Sequence, residues 1–72
     1  MTEVAAIGAA YRVEGFALAG ARVLVAEDPG DVRDAWRALP STVRVVVLTP
    51  AAAALLDDQR ETPGAPLTVV LP

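Results

Sequence analysis

The sequence has 72 residues, a formal net charge of −3 and a hydrophobic fraction of 54%. A chain of this length supports one small core, so we expect a single domain over residues 1–72. Cysteine and histidine are both absent, which excludes disulfides and metal sites built on thiolates or imidazoles. The six cations are all arginines scattered along the chain, without the basic patch that is typical of nucleic-acid-binding proteins.

The hydropathy pattern argues against direct insertion into a membrane. No apolar run approaches the roughly 20 residues needed to cross a bilayer. The first residues, Met1–Glu3, lack the positive charge that opens a secretory signal. We therefore expect a cytoplasmic protein. Its hydrophobic fraction still exceeds the roughly 45–50% of average domains, which predicts that some apolar surface stays exposed.

Four short valine-rich runs predict four β-strands. Their apolar residues are nearly continuous and do not alternate with polar ones, which is typical of parallel strands buried on both faces. The runs are Val4–Gly8, Val23–Glu27, Val43–Thr49 and Leu67–Leu71.

The segment between the first two runs predicts a short helix that ends at Gly20. Gly15 lies inside it and costs about 1 kcal/mol relative to alanine in a helix interior. We expect a close approach of this helix to the sheet to explain that glycine. An irregular turn and a half is the alternative for the segment.

The second helix has the clearest signals. Asp28 occupies the N-cap position, Pro29 fits the first turn, and Pro40 ends the helix. An apolar stripe at i, i+3, i+4 and i+7 should face the sheet, while Arg33 and Arg37 should face water. We favour a core role for the tryptophan of this stripe, with anchoring of a partner as the alternative. The stripe consists of Val32, Ala35, Trp36 and Leu39.

A third helix is predicted from Thr49-Pro50, which repeats the cap-then-proline signal, to about Arg60. Asp57 and Asp58 lie toward its C-terminal end, where negative charge opposes the helix dipole. We expect this end to fray.

The alternation of strands and helices predicts an α/β fold with right-handed crossovers. We expect a three-layer structure with a four-stranded parallel sheet in the order 2-1-3-4 and three helices, which is the flavodoxin-like, Rossmann-like arrangement. Ligands or partners are expected at the carboxyl ends of the strands.

Nucleotide and signalling sites are not supported by the motifs. Gly8 and Gly15 do not have the spacing of the dinucleotide-binding fingerprint, and a phosphate-binding loop would need a lysine. Glu27 and Asp28 suggest a ribose-binding or cation-binding pair, but a helix cap explains Asp28 more simply. The acidic cluster of a phosphoacceptor domain is missing after the first and third strands. We predict no catalytic residue, no cofactor and no metal site.

Four segments resemble one protein family in the order in which that family has them. The first is the stretch Ile7–Ala21, with a glycine after strand one and then the pattern Val-x-Gly-Phe-x-Leu-Ala-Gly. The others are Val25–Pro29, Val45–Thr49 followed by a helix, and the closing segment Pro66–Pro72. Together they resemble the F subunit family of the V-type and A-type (archaeal-type) ATP synthases, which are rotary ATPases.

This resemblance implies a non-catalytic subunit of the central rotor stalk, which helps to couple ATP synthesis or hydrolysis to ion transport. It implies contacts with other ATPase subunits, especially the coiled-coil D subunit of the stalk, and a peripheral position at the membrane through the complex. Ala9 and Ala10 depart from the acidic or polar residues common in the family. The family's C-terminal tail would follow Pro72, so roles of that tail are not carried over. The alternative is an orphan flavodoxin-like binding or signalling domain.

The predicted topology also leaves part of the sheet without a cover. The first helix should lie over strands one and two, and the other helices should lie on the opposite face. The same face of strands three and four, built from alternate residues, should then be apolar and open to a partner, a C-terminal helix or a second copy of the chain. The candidate contact residues are Tyr11, at the carboxyl edge, with Val45, Val47, Thr68 and Val70.

Overall fold

The computed structural model describes residues 3–72, in which four parallel strands form one sheet in the order β2-β1-β3-β4. The predicted fold class and strand order are therefore confirmed. The strands are β1 Glu3–Gly8, β2 Arg22–Val25, β3 Val43–Leu48 and β4 Leu67–Val70. The helices are α1 Ala10–Val13, continued by a 3₁₀ segment Glu14–Ala19, then α2 Pro29–Arg37, α3 Pro50–Leu55 and α4 Asp57–Arg60.

The main core lies between the sheet and the helices α2 and α3. Ile7 pairs with Leu48 across β1 and β3, and both side chains are fully buried in one cluster with Val32 of α2 and Leu56 after α3. Val13 of α1 and Ala6 of β1 are also fully buried, but they lie outside this cluster. They form a smaller buried layer under α1, which contacts β1 and β2 on the opposite face of the sheet.

A register shift in the β1–β3 pair brings an additional valine into the main core. Glu3 pairs with Val43 and Val4 pairs with Val45, so Arg44 has no counterpart on β1. Val43 and Val46 consequently both belong to the main core cluster, although strict alternation would place them on opposite faces.

The first predicted helix is present in a weaker form. Only Ala10–Val13 is α-helical, and the chain then tightens into a 3₁₀ segment that ends at Gly20, whose φ of 88° is left-handed. The proposed reason for Gly15 was wrong, because a Cβ atom there would have no neighbour within 4 Å. Gly15 therefore does not permit a close approach to the sheet. Its effect is to weaken the α-helical state of the segment.

Helix α2 matches its prediction closely, although it ends at Arg37, three residues before Pro40. Val32 belongs to the main core, and the other three residues of the stripe, Ala35, Trp36 and Leu39, are half-buried against it. Arg33 and Arg37 are exposed. The orientation predicted from the periodicity is confirmed, and Trp36 lies at the margin of the core.

The third predicted helix divides into α3 and α4 at Leu56. The backbone of Leu56 leaves the helical region, with φ −105° and ψ 11°, while its side chain is fully buried. Asp57 and Asp58 then begin α4 and lie in its first turn, where negative charge is favourable. Because a new helix starts at Asp57, the two acids lie near a helix N-terminus and not near a C-terminus, where their charge would oppose the helix dipole.

Within residues 3–72, no helix has the length and apolar character that crossing a bilayer would require. Met1 and Thr2, on which part of the argument against a secretory signal rests, lie outside the described residues.

Candidate protein-interaction surface

The most prominent surface feature is an apolar strip on β3 and β4. Val45 and Val47 of β3 pair with Leu67 and Val69 of β4, and paired residues of parallel strands point to the same face. Leu67 is 74% exposed and Val69 is 53% exposed, whereas Val45 and Val47 are half-buried. We call these four residues the bare strip.

The bare strip lies on the same side of the sheet as α1. The register places Val47 beside Ala6 and Val45 beside Val4 on β1, and Ala6 lies outside the core formed by α2 and α3. Helix α1 contacts β1 and β2, and the 3₁₀ segment contacts β2. The helical layer on this side therefore lies mainly over β1 and β2, and it leaves Leu67 and Val69 of the strip exposed.

Two of the candidate contact residues lie on the other face. Thr68 pairs with Val46, and Val70 pairs with Leu48, and both partners belong to the main core. The expectation that Thr68 and Val70 share a face with Val45 and Val47 was wrong. Val45 pairs with Leu67 and not with Thr68, so Thr68 and Val70 point to the opposite face.

The position of Thr68 is explained by α4. The guanidinium of Arg60 donates a hydrogen bond of 3.4 Å from Nη1 to Thr68 Oγ1 and forms an ion pair of 3.0 Å with Asp57. This contact covers Thr68 on the helical side of the sheet. The bare strip therefore contains Leu67 and Val69, which the sequence did not predict as contact residues. Thr68 and Val70, which it did predict, lie on the other face. The choice between the two pairs depends on the β3–β4 register, which the residue pattern of a mainly apolar strand does not specify.

Another exposed apolar residue lies on the helical layer beside the strip. Leu18, in the 3₁₀ segment, is 95% exposed. The charged residues of this layer, Arg12 and Glu14, have opposite signs, and Arg12 donates a hydrogen bond of 2.9 Å to the main-chain oxygen of Pro72. We call the layer formed by α1 and the 3₁₀ segment the helical half of this face.

A cleft of about 430 Å³ opens at the carboxyl edge of the sheet. Its polar lining residues are Tyr11, Arg12, Glu27, Asp28 and Thr49. Tyr11 is 82% exposed at this edge, as its place after β1 predicts. It does not belong to the bare strip, so the structure does not unite all five candidate contact residues in one patch.

The acidic pair at this cleft has a structural explanation. Asp28 Oδ1 accepts a hydrogen bond of 2.9 Å from the backbone N–H of Asp31, so Asp28 is the N-cap of α2, as predicted. Thr49 caps α3 in the same way, with 3.2 Å between its Oγ1 and the backbone nitrogen of Ala52. Among residues 3–72, no group of three or more acidic side chains is arranged to hold a metal ion.

The opposite, amino-terminal edge carries a polar network. Glu3 accepts a hydrogen bond of 2.7 Å from the Thr42 hydroxyl and hydrogen bonds of 2.6 and 2.9 Å from the Arg22 guanidinium. The Thr42 hydroxyl and then the Arg22 guanidinium hold the pKa of the Glu3 carboxyl below its ordinary value. This network joins β1 to β2 and to the turn before β3, and its groups are satisfied by one another.

Comparisons with protein-family models, with curated proteins and with solved structures find no match.

Proposed function

We propose that this chain is a non-catalytic subunit of the central stalk of a V-type or A-type rotary ATPase, similar to the F subunit of those complexes. In this role it helps to couple ATP synthesis or hydrolysis to ion transport through protein contacts. The proposal rests on the four sequence segments that resemble the family. The observation that supports it best is the bare strip, which gives this small α/β domain an apolar surface suited to a protein partner.

The strip has the properties of an interface core. Its four side chains are aliphatic and contiguous across two paired strands, and depletion of charge is the compositional mark of the centre of an interface. A coiled-coil partner such as the D subunit of the stalk would contact it through apolar residues on the outer surface of the coiled coil. Tyr11, at the carboxyl edge, would lie at the rim of such a contact.

Co-expression with the coiled-coil stalk subunit of a V/A-type ATPase tests this proposal. We expect the two chains to co-elute in size-exclusion chromatography and Val69→Glu to weaken the complex at least tenfold. The control is Ala54→Glu, which adds the same charge at an exposed position of α3 on the opposite layer. Failure of the wild-type chain to bind any stalk subunit would contradict the proposal.

A second experiment separates this role from an enzymatic one. The sequence contains neither lysine nor a phosphate-binding loop, so we expect no ATP hydrolysis by the isolated chain and no tight nucleotide binding. Isothermal titration with ATP and Mg²⁺ measures this directly, and a micromolar dissociation constant would contradict it.

The cleft at the carboxyl edge favours one alternative, an orphan flavodoxin-like binding or signalling domain. Its volume of about 430 Å³ falls within the roughly 300–1,000 Å³ typical of small-molecule sites, and it lies where open α/β sheets bind ligands. A ligand that protects Tyr11 fluorescence from quenching, without any binding to stalk subunits, would favour this alternative.

A further inference from the structure

One face of the sheet carries the helical half over β1 and β2 and the bare strip on β3 and β4. Each of them exposes a leucine. Leu18, the most exposed large apolar side chain of the described residues, lies on the helical half, and Leu67 lies on the bare strip. The two halves could therefore cover each other only if a second molecule supplied the opposite one.

From this relationship we propose that two copies of the chain associate face to face through a two-fold axis parallel to the strands. That rotation exchanges the two halves of the face. The helical half of each copy then lies on the bare strip of the other, and Leu18 of one copy contacts Leu67 of its partner. The interface is isologous, since each copy makes the same contact.

The positions of the two leucines along the strands agree with this arrangement. Helix α1 begins at the carboxyl edge, and the 3₁₀ segment after it continues toward the amino edge, where β2 starts at Arg22, four residues after Leu18. Leu67 starts β4 at the same amino edge. A rotation about an axis parallel to the strands preserves height along them, so the two side chains arrive at the same level.

Other two-fold arrangements satisfy the surface less well. An axis in the plane of the face but perpendicular to the strands would place the two helical halves against each other and keep the strips apart. An axis normal to the sheet would pair β4 edge to edge and leave both strips facing solvent. Only the parallel axis buries the strip and Leu18 together.

Charge and size are compatible with a second copy as the occupant. The bare strip carries no charge, and the helical half carries Arg12 and Glu14, whose charges cancel. A standard interface buries about 800 Å² on each partner, which is roughly a fifth of the 4482 Å² surface of the described residues. A domain this small has a limited core of its own, and association of the folded state would stabilise it by mass action.

Sedimentation equilibrium measures the association directly. We expect the wild-type mass to rise with concentration from 7.4 kDa toward twice that value, 14.8 kDa. Leu18→Glu should raise the dissociation constant at least tenfold and leave the circular dichroism unchanged, since Leu18 is exposed in the monomer. Ala54→Glu on the opposite layer should dimerise like wild type. A wild-type chain that stays monomeric at millimolar concentration, or a Leu18→Glu variant that dimerises normally, would overturn the proposal.

Cross-linking tests the geometry, because the natural sequence has no cysteine. A short bismaleimide should join Leu18→Cys to Leu67→Cys when the two variants are mixed, and should join either variant to itself much more slowly. Rapid self-linking of Leu67→Cys alone would overturn the proposed axis and indicate pairing through β4. The experiment uses the isolated chain, so its outcome is independent of whether a stalk subunit binds. If that partner uses the same strip, its addition should convert the dimer into the mixed complex.

Discussion

Gly8, at the end of β1, lies against the side chain of Thr49, the residue that follows β3. A Cβ atom at position 8 would overlap Thr49 Cγ2 and would lie 2.9 Å from its Oγ1. Thr49 is buried and caps α3 through the backbone N–H of Ala52. The glycine after strand one, which invites interpretation as part of a nucleotide-binding loop, therefore makes room for a helix cap.

Gly8→Ala should consequently destabilise the domain. Thr49 can move away from the new methyl group only by weakening the cap of α3, and overpacking of this kind costs about 1–3 kcal/mol. Urea denaturation monitored by circular dichroism measures the change in the free energy of unfolding.

Two companion variants make this prediction specific. Thr49→Ser removes Cγ2 but keeps the capping oxygen, so Gly8→Ala should cost less in the Thr49→Ser background than in the wild type. Gly15→Ala is the matched control, because its Cβ would have no neighbour within 4 Å, and it should be neutral or stabilising by up to about 1 kcal/mol. Equal losses for Gly8→Ala and Gly15→Ala would contradict the steric explanation.

Asp28 should contribute to stability as a helix cap. Asp28→Ala removes the acceptor for the backbone N–H of Asp31, and loss of an N-cap costs about 0.5–2 kcal/mol. Asp28→Asn retains a capping oxygen and should recover most of that loss in a thermal melt. If both variants keep the wild-type melting temperature, the hydrogen bond at Asp28 does not stabilise α2, and the acid at the cleft would need another explanation.

The sequence predicted those parts of the fold that depend on local signals. The caps at Asp28 and Thr49 and the stripe on α2 each combine a residue type with a spacing, and the structure confirms all of them. The parallel sheet with right-handed crossovers followed from the alternation of strands and helices, and the order of the strands followed from the arrangement of flavodoxin-like folds.

The remainder depended on contacts between distant segments. The sequence could not reveal that Thr68 lies under Arg60, because Thr68 is the single polar residue of β4 and the register of this strand is set by pairing with β3. The sequence also could not show that Gly8 makes room for the side chain of Thr49, since these residues are 41 positions apart and meet only when β1 and β3 pair. The candidate surface was therefore predicted on the correct strands, with half of its β-strand residues on the wrong face.

Trp36→Ala should destabilise the domain, but by less than the removal of a fully enclosed tryptophan. Trp36 packs against the main core and is only half-buried, so we expect a loss near the lower end of the roughly 3–5 kcal/mol seen for large aromatic truncations. Arg33→Ala, at an exposed position of the same helix, should stay within about 0.5 kcal/mol of wild type. A Trp36→Ala variant that keeps the wild-type melting temperature would instead identify this residue as a surface anchor for a partner.

Glu3 should make the stability of the domain depend on acid pH in a defined direction. Its folded-state pKa is lowered by the hydrogen bond from Thr42 and by Arg22. The ionised carboxylate therefore stabilises the fold above the pKa of the unfolded chain, and this stabilisation is lost as the pH falls through the folded-state pKa. The loss should occur below about pH 5, where glutamate begins to protonate.

Glu3→Gln removes the titrating group, so its melting temperature should lie below that of wild type at pH 7 and converge with it as the pH approaches about 2.5. Glu14→Gln is the control, because Glu14 is exposed and has no hydrogen-bond partner for its side chain among residues 3–72. Its melting temperature should follow that of wild type across the range. A gap between wild type and Glu3→Gln that stays constant as the pH is lowered would show that the network acts through packing and not through the charge of Glu3.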